Sequence, residues 1–435
     1  MRPGAFITDI PAFVQALIGR YGVAEIARGT GIATDDLERW GHSENHCSPQ
    51  AEWSLYLFCV ARRSFDILRA YATHLPSFDI IGKNTSDELD LYAPPLGFEL
   101  EPPQVNLIQR PTEIAGLPVN FPFGISASIL TRNSKTIAFF AARGFDLLTY
   151  KTVRSTKRAV HPVPNWVFIR QASSERVSPF STTPIVGAID YFPADPRYGS
   201  TANSFGVPSE EPGLWQPDVE QAKKVLHDGQ VLIVSVIASP PPGDTSERAL
   251  IDDFVRVARM AKEAGADIIE ANFSCPNTPG DPTGELYQDP ELSGRVSKVL
   301  SASLGATPLF VKIGYLPEQQ LAEFVRQTCP YVQGVVAINT ISMPVVSPAG
   351  TELFPNRRRA GISGVAIRPW ATEVVSNLVA LRKRLQAEYT IIGLGGVSVP
   401  HDVDDYLALG ADAVEACTAV LFNPLLAIET RLQTG

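Results

Sequence analysis

The sequence predicts a (β/α)₈ TIM barrel preceded by a small all-helical domain. Eight short, mostly continuous apolar runs occur after about residue 122, as expected of parallel strands that are covered on both faces. Helical patterns separate these runs, and a helix–Gly–strand junction recurs at residues 143–146, 264–267 and 409–412. A doubly wound open sheet is the alternative, but no G-x-G-x-x-G motif follows the early strands as its first turn would require.

Runs rich in aliphatic and β-branched residues define the predicted strands. They cover residues 122–128, 145–153, 230–238, 267–274, 308–315, 334–342, 390–396 and 413–419. The clearest helix between them covers residues 247–263, where apolar side chains recur at helical spacing. Thr245 or Ser246 is predicted to cap the start of this helix, and Gly265 is predicted to end it.

Two long segments, at residues 154–216 and 344–360, are rich in Pro, Ser and Gly and only weakly periodic. Both follow predicted strand ends, where the active-site loops of a barrel lie, so we expect them to form lids over the site. The residues before about 85 have helical patterns but no strand pattern. We therefore place a helical domain at residues 1–85 and the barrel domain at residues 86–435.

The composition indicates a folded protein and argues against several functional classes. With 45% hydrophobic and 19% charged residues, the 435-residue chain can bury a large core. Its net charge of -9 argues against a chain-wide surface for nucleic acid. The five cysteines are scattered without a C-x-x-C pair, which argues against a disulfide framework, a zinc site or an iron–sulfur cluster. We see no signal peptide and no apolar run long enough to span a membrane, so we expect a cytoplasmic protein.

The run Asn-Phe-Ser-Cys-Pro-Asn-Thr-Pro-Gly at residues 272–280 carries the most chemistry. The amides of Asn272 and Asn277, a hydroxyl and the Cys275 thiol all follow the fourth predicted strand, and barrel enzymes place catalytic groups at such strand ends. A cysteine with a pKa of about 8.5 is partly ionised near neutrality and can act as a base or a nucleophile. A buried structural cysteine is the alternative, but the clustering of these groups favours a catalytic role.

This run resembles the signature of the dihydroorotate dehydrogenases and the related dihydropyrimidine dehydrogenases. Other motifs agree in order over residues 100–430, and the set is much more specific than any one motif. They are Pro-Phe-Gly-Ile-Ser-Ala-Ser at 122–128, Tyr-Lys-Thr at 150–152, Asn-Ser-Phe-Gly-Val-Pro at 203–208, Val-Lys at 311–312, Asn-Thr at 339–340, Gly-Ile-Ser-Gly at 361–364, Gly-Leu-Gly-Gly at 393–396 and Cys-Thr-Ala at 417–419.

The resemblance implies that FMN binds at the top of the barrel. Glycines at the end of a predicted strand suit its phosphate, because backbone N–H groups are exposed there. Lys312 lies inside an apolar strand and needs a negative partner; the resemblance supplies the N1/O2 edge of reduced flavin, and a structural ion pair is the alternative. The implied cofactor residues are Ser126, Ala127, Lys151, Thr152, Asn203, Asn272, Lys312, Asn339, Ser363, Gly364, Gly395, Gly396, Cys417 and Thr418.

The resemblance also implies a dihydropyrimidine substrate. Neutral amides can recognise the alternating N–H and C=O groups of such a ring without burying net charge. Cys275 would remove the C5 proton while a hydride passes from C6 to flavin N5. The implied substrate residues are Lys151, Asn203, Phe205, Gly206, Asn272, Asn277, Asn339 and Thr340.

Two substrates agree with different motifs. Asn277 and the motif at 203–208 resemble dihydroorotate dehydrogenase, so oxidation of dihydroorotate to orotate in pyrimidine biosynthesis is the main hypothesis. Residues 288–292, 338–342 and 362–369 are closer to dihydropyrimidine dehydrogenase, which makes dihydrouracil or dihydrothymine the alternative. The electron acceptor, a small molecule or an electron-transfer subunit, is not identified by the sequence, and we expect a homodimer.

The N-terminal domain has a helix-turn-helix-like spacing over residues 22–40. A pyrimidine-sensing DNA-binding protein is therefore a further alternative to an enzyme. The segment at 34–40 that would enter DNA is acidic, however, which argues against nucleic acid and favours packing or partner contact. Residues 53–71 could instead form an amphipathic helix at a membrane surface, although we expect no membrane partner.

Overall fold

The computed structural model describes residues 9–42, 107–170, 177–188, 199–274, 285–421 and 423–433, with isolated residues between 47 and 71. The strands of these residues are short, as parallel barrel strands usually are. They are β1 Thr112–Ile114, β2 Leu117–Val119, β3 Phe123–Ile125, β4 Leu147–Val153, β5 Trp166–Ile169, β6 Ile185–Ala188, β7 Ser200–Asn203, β8 Val231–Val236, β9 Ile268–Asn272, β10 Leu309–Ile313, β11 Gly334–Ala337, β12 Ile341–Val346, β13 Arg359–Gly364, β14 Thr390–Leu394 and β15 Ala413–Ala416.

Eight of these strands close into a parallel barrel, in the order β3-β4-β8-β9-β10-β11-β14-β15. The barrel closes where β15 pairs with β3, with Val414 opposite Phe123. Each strand lies within one of the eight runs predicted from the sequence, so the predicted barrel is confirmed. Almost every strand residue is buried, because the barrel interior covers one face and the surrounding helices cover the other.

The helices of the barrel region follow its strands. They are α4 Ser134–Ala141, α5 Pro212–Lys224, α6 Glu247–Glu263, α7 Pro290–Leu304, α8 Glu318–Thr328, α9 Arg368–Leu385, α10 Pro400–Leu409 and α11 Leu426–Gln433. The predicted bounds of α6 are correct. The Ser246 hydroxyl accepts a hydrogen bond from the Ala249 N–H over 3.2 Å, and Gly265 follows the helix with a φ of 99°. That left-handed conformation favours glycine, as the sequence predicted.

Strands within the segment 154–216 and at the two ends of the segment 344–360 form a second sheet. Strands β5, β6, β7, β12 and β13 close into a small barrel of mixed direction. Asn203 pairs with Trp166 on one side and with Gly361 on the other, so the pairing joins parts of the chain that are far apart in sequence. Residues of 154–216 line the cavity at the carboxyl end of the main barrel, as predicted, whereas none of 344–360 does. No strand was predicted in either segment.

A hairpin of β1 and β2 covers the amino end of the main barrel. Ile114 and Val119 are buried against Leu147, Ile268 and Phe310 from the barrel strands. The hairpin thus closes the amino end of the barrel. The predicted site lies at the opposite end, where the strands have their carboxyl ends. The sequence analysis did not predict this hairpin.

Three helices precede the barrel: α1 Ile10–Tyr21, α2 Val23–Thr30 and α3 Thr34–His42. Their common core includes Phe13, Ile26 and Leu37, and it also takes in Leu425 and Ile428 from the C-terminal part of the chain. The predicted recognition helix is α3. The predicted domain boundary at 85 and most of the proposed membrane-surface helix at 53–71 lie outside the described residues. Within the described residues, every helix is too short or too polar to cross a membrane.

Candidate active site

A cavity lies at the carboxyl end of the main barrel, between its strand ends and the second sheet. Ser126, Lys312 and Thr418 line it from the barrel, and Trp166 and Asn203 line it from the second sheet. This is the end at which parallel barrels place their reactive groups. The second sheet therefore forms one wall of the candidate site.

The structure brings most of the predicted site residues to this one cavity. Gly206 does not line it, and Cys275 and Asn277 lie outside the described residues. The predicted residues that line the cavity are Ser126, Ala127, Lys151, Thr152, Asn203, Phe205, Asn272, Lys312, Asn339, Thr340, Ser363, Gly364, Gly395, Gly396, Cys417 and Thr418.

Three asparagine amides are held in place by the backbone around the cavity. Asn339 donates from Nδ2 to Oδ1 of Asn272 over 3.3 Å and to the carbonyl oxygen of Ser274, and its own Oδ1 accepts from the Thr340 N–H over 3.0 Å. Asn203 donates to the Gly361 carbonyl oxygen over 3.1 Å. These bonds fix the amide planes, which is what recognition of a flat polar ring requires.

Two cations anchor the segment that follows β7. Lys151 lies on β4, and Arg154 comes directly after that strand. Lys151 donates from Nζ to the carbonyl oxygens of Pro208 and Thr152, and Arg154 donates from Nε to the Val207 carbonyl oxygen over 3.0 Å. Gly206 has a φ of 80°, and a Cβ there would come closer than 3.0 Å to the ring of His161. Gly206 thus shapes this segment from outside the cavity.

One corner of the cavity combines hydroxyls with glycines. Thr418 donates from Oγ1 to Oγ of Ser363 over 3.1 Å. Gly364, Gly395 and Gly396 all have a φ between 70° and 135°, a range that other residues rarely adopt. Hydroxyls and a tightly curved backbone of this kind suit a phosphate group.

Lys312 lies at the floor of the cavity and is almost completely buried. The Glu270 carboxylate is 4.0 Å away, which is too far for a hydrogen bond, and Nζ donates no hydrogen bond to any other described residue. A buried ammonium that lacks a hydrogen-bond acceptor needs one from a ligand. The floor and the hydroxyl–glycine corner together fit the ring and phosphate of FMN.

The Cys417 thiol lies in the same cavity. Burial raises its pKa, although hydrogen bonds with the hydroxyls of Ser128 and Ser126 lower it in part. The thiol therefore stays protonated near neutrality and can donate a hydrogen bond but does not act as a base.

Comparisons with known proteins agree with this geometry. The family model of dihydroorotate dehydrogenase matches residues 196–432. A dihydroorotate dehydrogenase of Dictyostelium discoideum is 31% identical over 316 residues, which cover 71% of this chain and 84% of that protein. This chain belongs to the dihydroorotate dehydrogenase family. It is therefore a flavin-dependent oxidoreductase, as the sequence motifs predicted.

Two further relatives of this dihydroorotate dehydrogenase family member have names that specify NAD(+) or quinone. The catalytic subunit of a dihydroorotate dehydrogenase B (NAD(+)) of Staphylococcus carnosus is 28% identical over 224 residues, or 50% of this chain and 67% of that protein. A dihydroorotate dehydrogenase (quinone) of Alkalilimnicola ehrlichii is 32% identical over 200 residues, or 44% of this chain and 56% of that protein.

A solved structure has the same fold. It is the dihydroorotate dehydrogenase of Eimeria tenella in complex with ferulenol, with a TM-score of 0.57 and 19% identity. The match covers 76% of this chain and 85% of that chain. The predicted fold is thus supported by comparison as well as by the strand order.

The sequence analysis of this family member missed several residues that line its site. Trp166 could have been found only from the second sheet, which was not predicted, whereas Val207 and Pro208 belong to the motif at 203–208 but were not named as site residues. Glu415 had a readable signal, because it is an acidic residue inside the apolar run at 413–419. It is the acidic counterpart of Lys312, a charged residue in an apolar strand that is costly to bury without a partner.

Proposed function

We propose that this chain oxidises dihydroorotate to orotate with FMN bound in the cavity at the carboxyl end of the barrel. The observation that supports it most is the convergence of motif residues from 126 to 418 on that one cavity. The names of the relatives support dihydroorotate as the substrate, and they give no support to dihydrouracil or to a DNA-binding sensor.

The cofactor would be held at both ends of the cavity. Ser363, Thr418 and the backbone of Gly395 and Gly396 would bind the phosphate, and the Lys312 ammonium would lie against the ring. When bound, FMN accepts a hydride from the substrate and passes its electrons to a second acceptor. A cation at the floor stabilises negative charge that accumulates on a neighbouring group, so Lys312 favours the reduced state of the site.

The substrate would be bound by amides and one cation. Asn203, Asn272 and Asn339 offer donors and acceptors in fixed orientations to the ring. Lys151 brings a positive charge to the same cavity, which suits dihydroorotate because this substrate carries a carboxylate and dihydrouracil does not. Cys275 is proposed to take the C5 proton, as the sequence predicted.

The partners and the arrangement of the chain are also proposals. The electrons would pass to a separate acceptor, and the two kinds of relative make both a nicotinamide and a quinone suitable for assay. Residues 1–85 would form a packing domain on the barrel, because the α1–α3 core includes Leu425 and Ile428. The homodimer and the cytoplasmic location stay predictions.

The test is reduction of the bound flavin in the absence of oxygen. The purified protein should show the visible absorbance of flavin and release FMN on denaturation. Mixing with dihydroorotate should bleach that absorbance, whereas dihydrouracil at the same concentration should not. A protein that fails to bind added FMN, or one that is bleached by dihydrouracil alone, would contradict the proposal.

A further inference from the structure

A cluster of buried charges lies in the barrel interior beneath the proposed flavin site. The charged side chains on the eight barrel strands are Lys151, Glu270, Lys312 and Glu415. Lys151 is occupied by backbone carbonyls at the cavity wall. The other three are almost or completely buried, on β9, β10 and β15.

Few groups within the described residues compensate these charges. Lys312 Nζ is 4.0 Å from Oε1 of Glu270. Thr149 donates from Oγ1 to Oε1 of Glu415 over 2.6 Å. Neither carboxylate oxygen of Glu270 and only one of Glu415 has a hydrogen-bond partner among the described residues. Two carboxylates and one ammonium would leave an uncompensated negative charge on side chains that are almost completely buried, which is strongly unfavourable.

Protonation is the remaining way to neutralise the negative charge around Glu415. The strands on either side, β3 and β14, carry no titratable side chain, and β4 faces it with Thr149 and Lys151. The other titratable groups near it are Glu270, Lys312 and the Cys417 thiol. Burial, followed by the like charge of Glu270, raises the pKa of Glu415 to about 7, while Lys312 and the Thr149 hydrogen bond lower it.

We propose that Glu415 holds a proton that neutralises the floor of the cavity beside the Lys312–Glu270 pair. This proton leaves to solvent as the pH rises, without any transfer of electrons. The floor then becomes negative, and Lys312 is less able to stabilise a negative charge on the flavin. Glu415 is thus a positioning residue that acts through Lys312. The consequence for flavin rests on the proposed function, whereas the titration itself does not.

Infrared spectroscopy of the protein as purified tests the titration directly. The difference between the wild type and the isosteric Glu415→Gln variant should show the carbonyl stretch of a protonated, deuterium-sensitive carboxylic acid at a pH of about 6. This band should be lost at a pH of about 8 to 9. Absence of the band at low pH would overturn the proposal. The exposed Glu388→Gln variant is the matched control and should leave the band in place.

The Glu270→Gln variant tests whether the two carboxyl groups are coupled. Removing the like charge should move the loss of the Glu415 band to lower pH, because Glu415 then becomes the only counter-ion of Lys312. An unmoved midpoint would show that the charge of Glu270 does not act on Glu415 and would overturn this part of the proposal.

The flavin potential gives the second readout. Near a pH of about 6, wild type and Glu415→Gln should have the same midpoint potential, because both floors are neutral. Above neutrality the wild-type potential should fall further than that of the variant. Equal potentials across the range would overturn the link to flavin. An infrared titration in a protein that does not bind FMN would instead contradict the proposed function and leave the protonation of Glu415 standing.

Discussion

Asn339 donates a hydrogen bond from its side-chain amide to the side-chain oxygen of Asn272 over 3.3 Å. The bond joins the end of β9 to the segment after β11, on either side of the strand that carries Lys312. The same amide donates to the Ser274 carbonyl oxygen, the last described backbone acceptor before Cys275. The Asn339 side chain thus connects Asn272, which is proposed to bind the substrate, with the backbone that leads to Cys275, the proposed base.

Replacement of Asn339 should therefore affect more than one contact. We expect Asn339→Ala to lower kcat/KM for dihydroorotate by roughly 10- to 100-fold, because a buried polar group that loses its partner costs about 1–3 kcal/mol. Steady-state kinetics with a saturating acceptor would measure the loss. Asn377→Ala, on α9 and away from the cavity, is the control. Equal kinetics for the two variants would contradict this role of Asn339.

Gly364 is expected to tolerate no side chain. It has a φ of 90°, and a Cβ there would come closer than 3.0 Å to the backbone carbonyl oxygen of Gly199. Gly364→Ala should weaken FMN binding by at least about 10-fold, because about 1–3 kcal/mol of backbone strain would shift the hydroxyl–glycine corner. Fluorescence titration of the apoprotein with FMN measures the affinity. Gly213→Ala, in α5 with open space around it, should bind FMN like the wild type.

Cys275 is expected to determine the rate of flavin reduction but not the binding of the flavin. Loss of a general base lowers a rate by roughly 10²- to 10⁴-fold, so Cys275→Ala should slow anaerobic reduction by dihydroorotate by that order while FMN stays bound. Wild-type reduction should become faster toward alkaline pH, and stopped-flow absorbance would record both effects. Cys329→Ala is the control, because burial raises the pKa of that thiol to about 12 and it lies away from the cavity. A flat pH profile or unchanged reduction in Cys275→Ala would refute the assignment.

The main barrel was predictable from the sequence because each of its strands is buried on both faces. A strand such as Leu309–Ile313 therefore reads as a continuous apolar run, and its one charged residue, Lys312, is conspicuous. Asn272 and Thr418 lie at or just after the ends of such strands, where the resemblance to the family placed site residues.

The second sheet could not be predicted in the same way. Its strand β7 has four residues, and it pairs with β13, which lies more than 150 residues further along the chain. Local propensity carries little information about such distant pairing, and Pro- and Gly-rich surroundings suggested loops. The cavity wall formed by Trp166 was missed for that reason, whereas Glu415 was missed although the sequence marked it.

The pH dependence of stability should report on His161. Burial, followed by the charge of Arg357, lowers the pKa of His161 to about 4, although its hydrogen bond to the Ser204 carbonyl oxygen raises it. The folded state thus binds fewer protons than the unfolded state between a pH of about 4 and the ordinary histidine value of 6.5. The contribution of the neutral ring is complete above 6.5 and is lost as the pH falls through this window.

We expect the urea midpoint of the wild type to fall relative to that of His161→Gln as the pH drops from about 6.5 to about 4, because glutamine keeps an N–H donor but does not titrate. Above a pH of about 7 the difference between the two proteins should be constant. His227→Gln, at an exposed position, is the matched control. A constant difference between wild type and His161→Gln at every pH would mean that His161 does not titrate in the folded protein over this range. The segment from Ser204 to Gly206 would then be held against the ring without any sensitivity to acid.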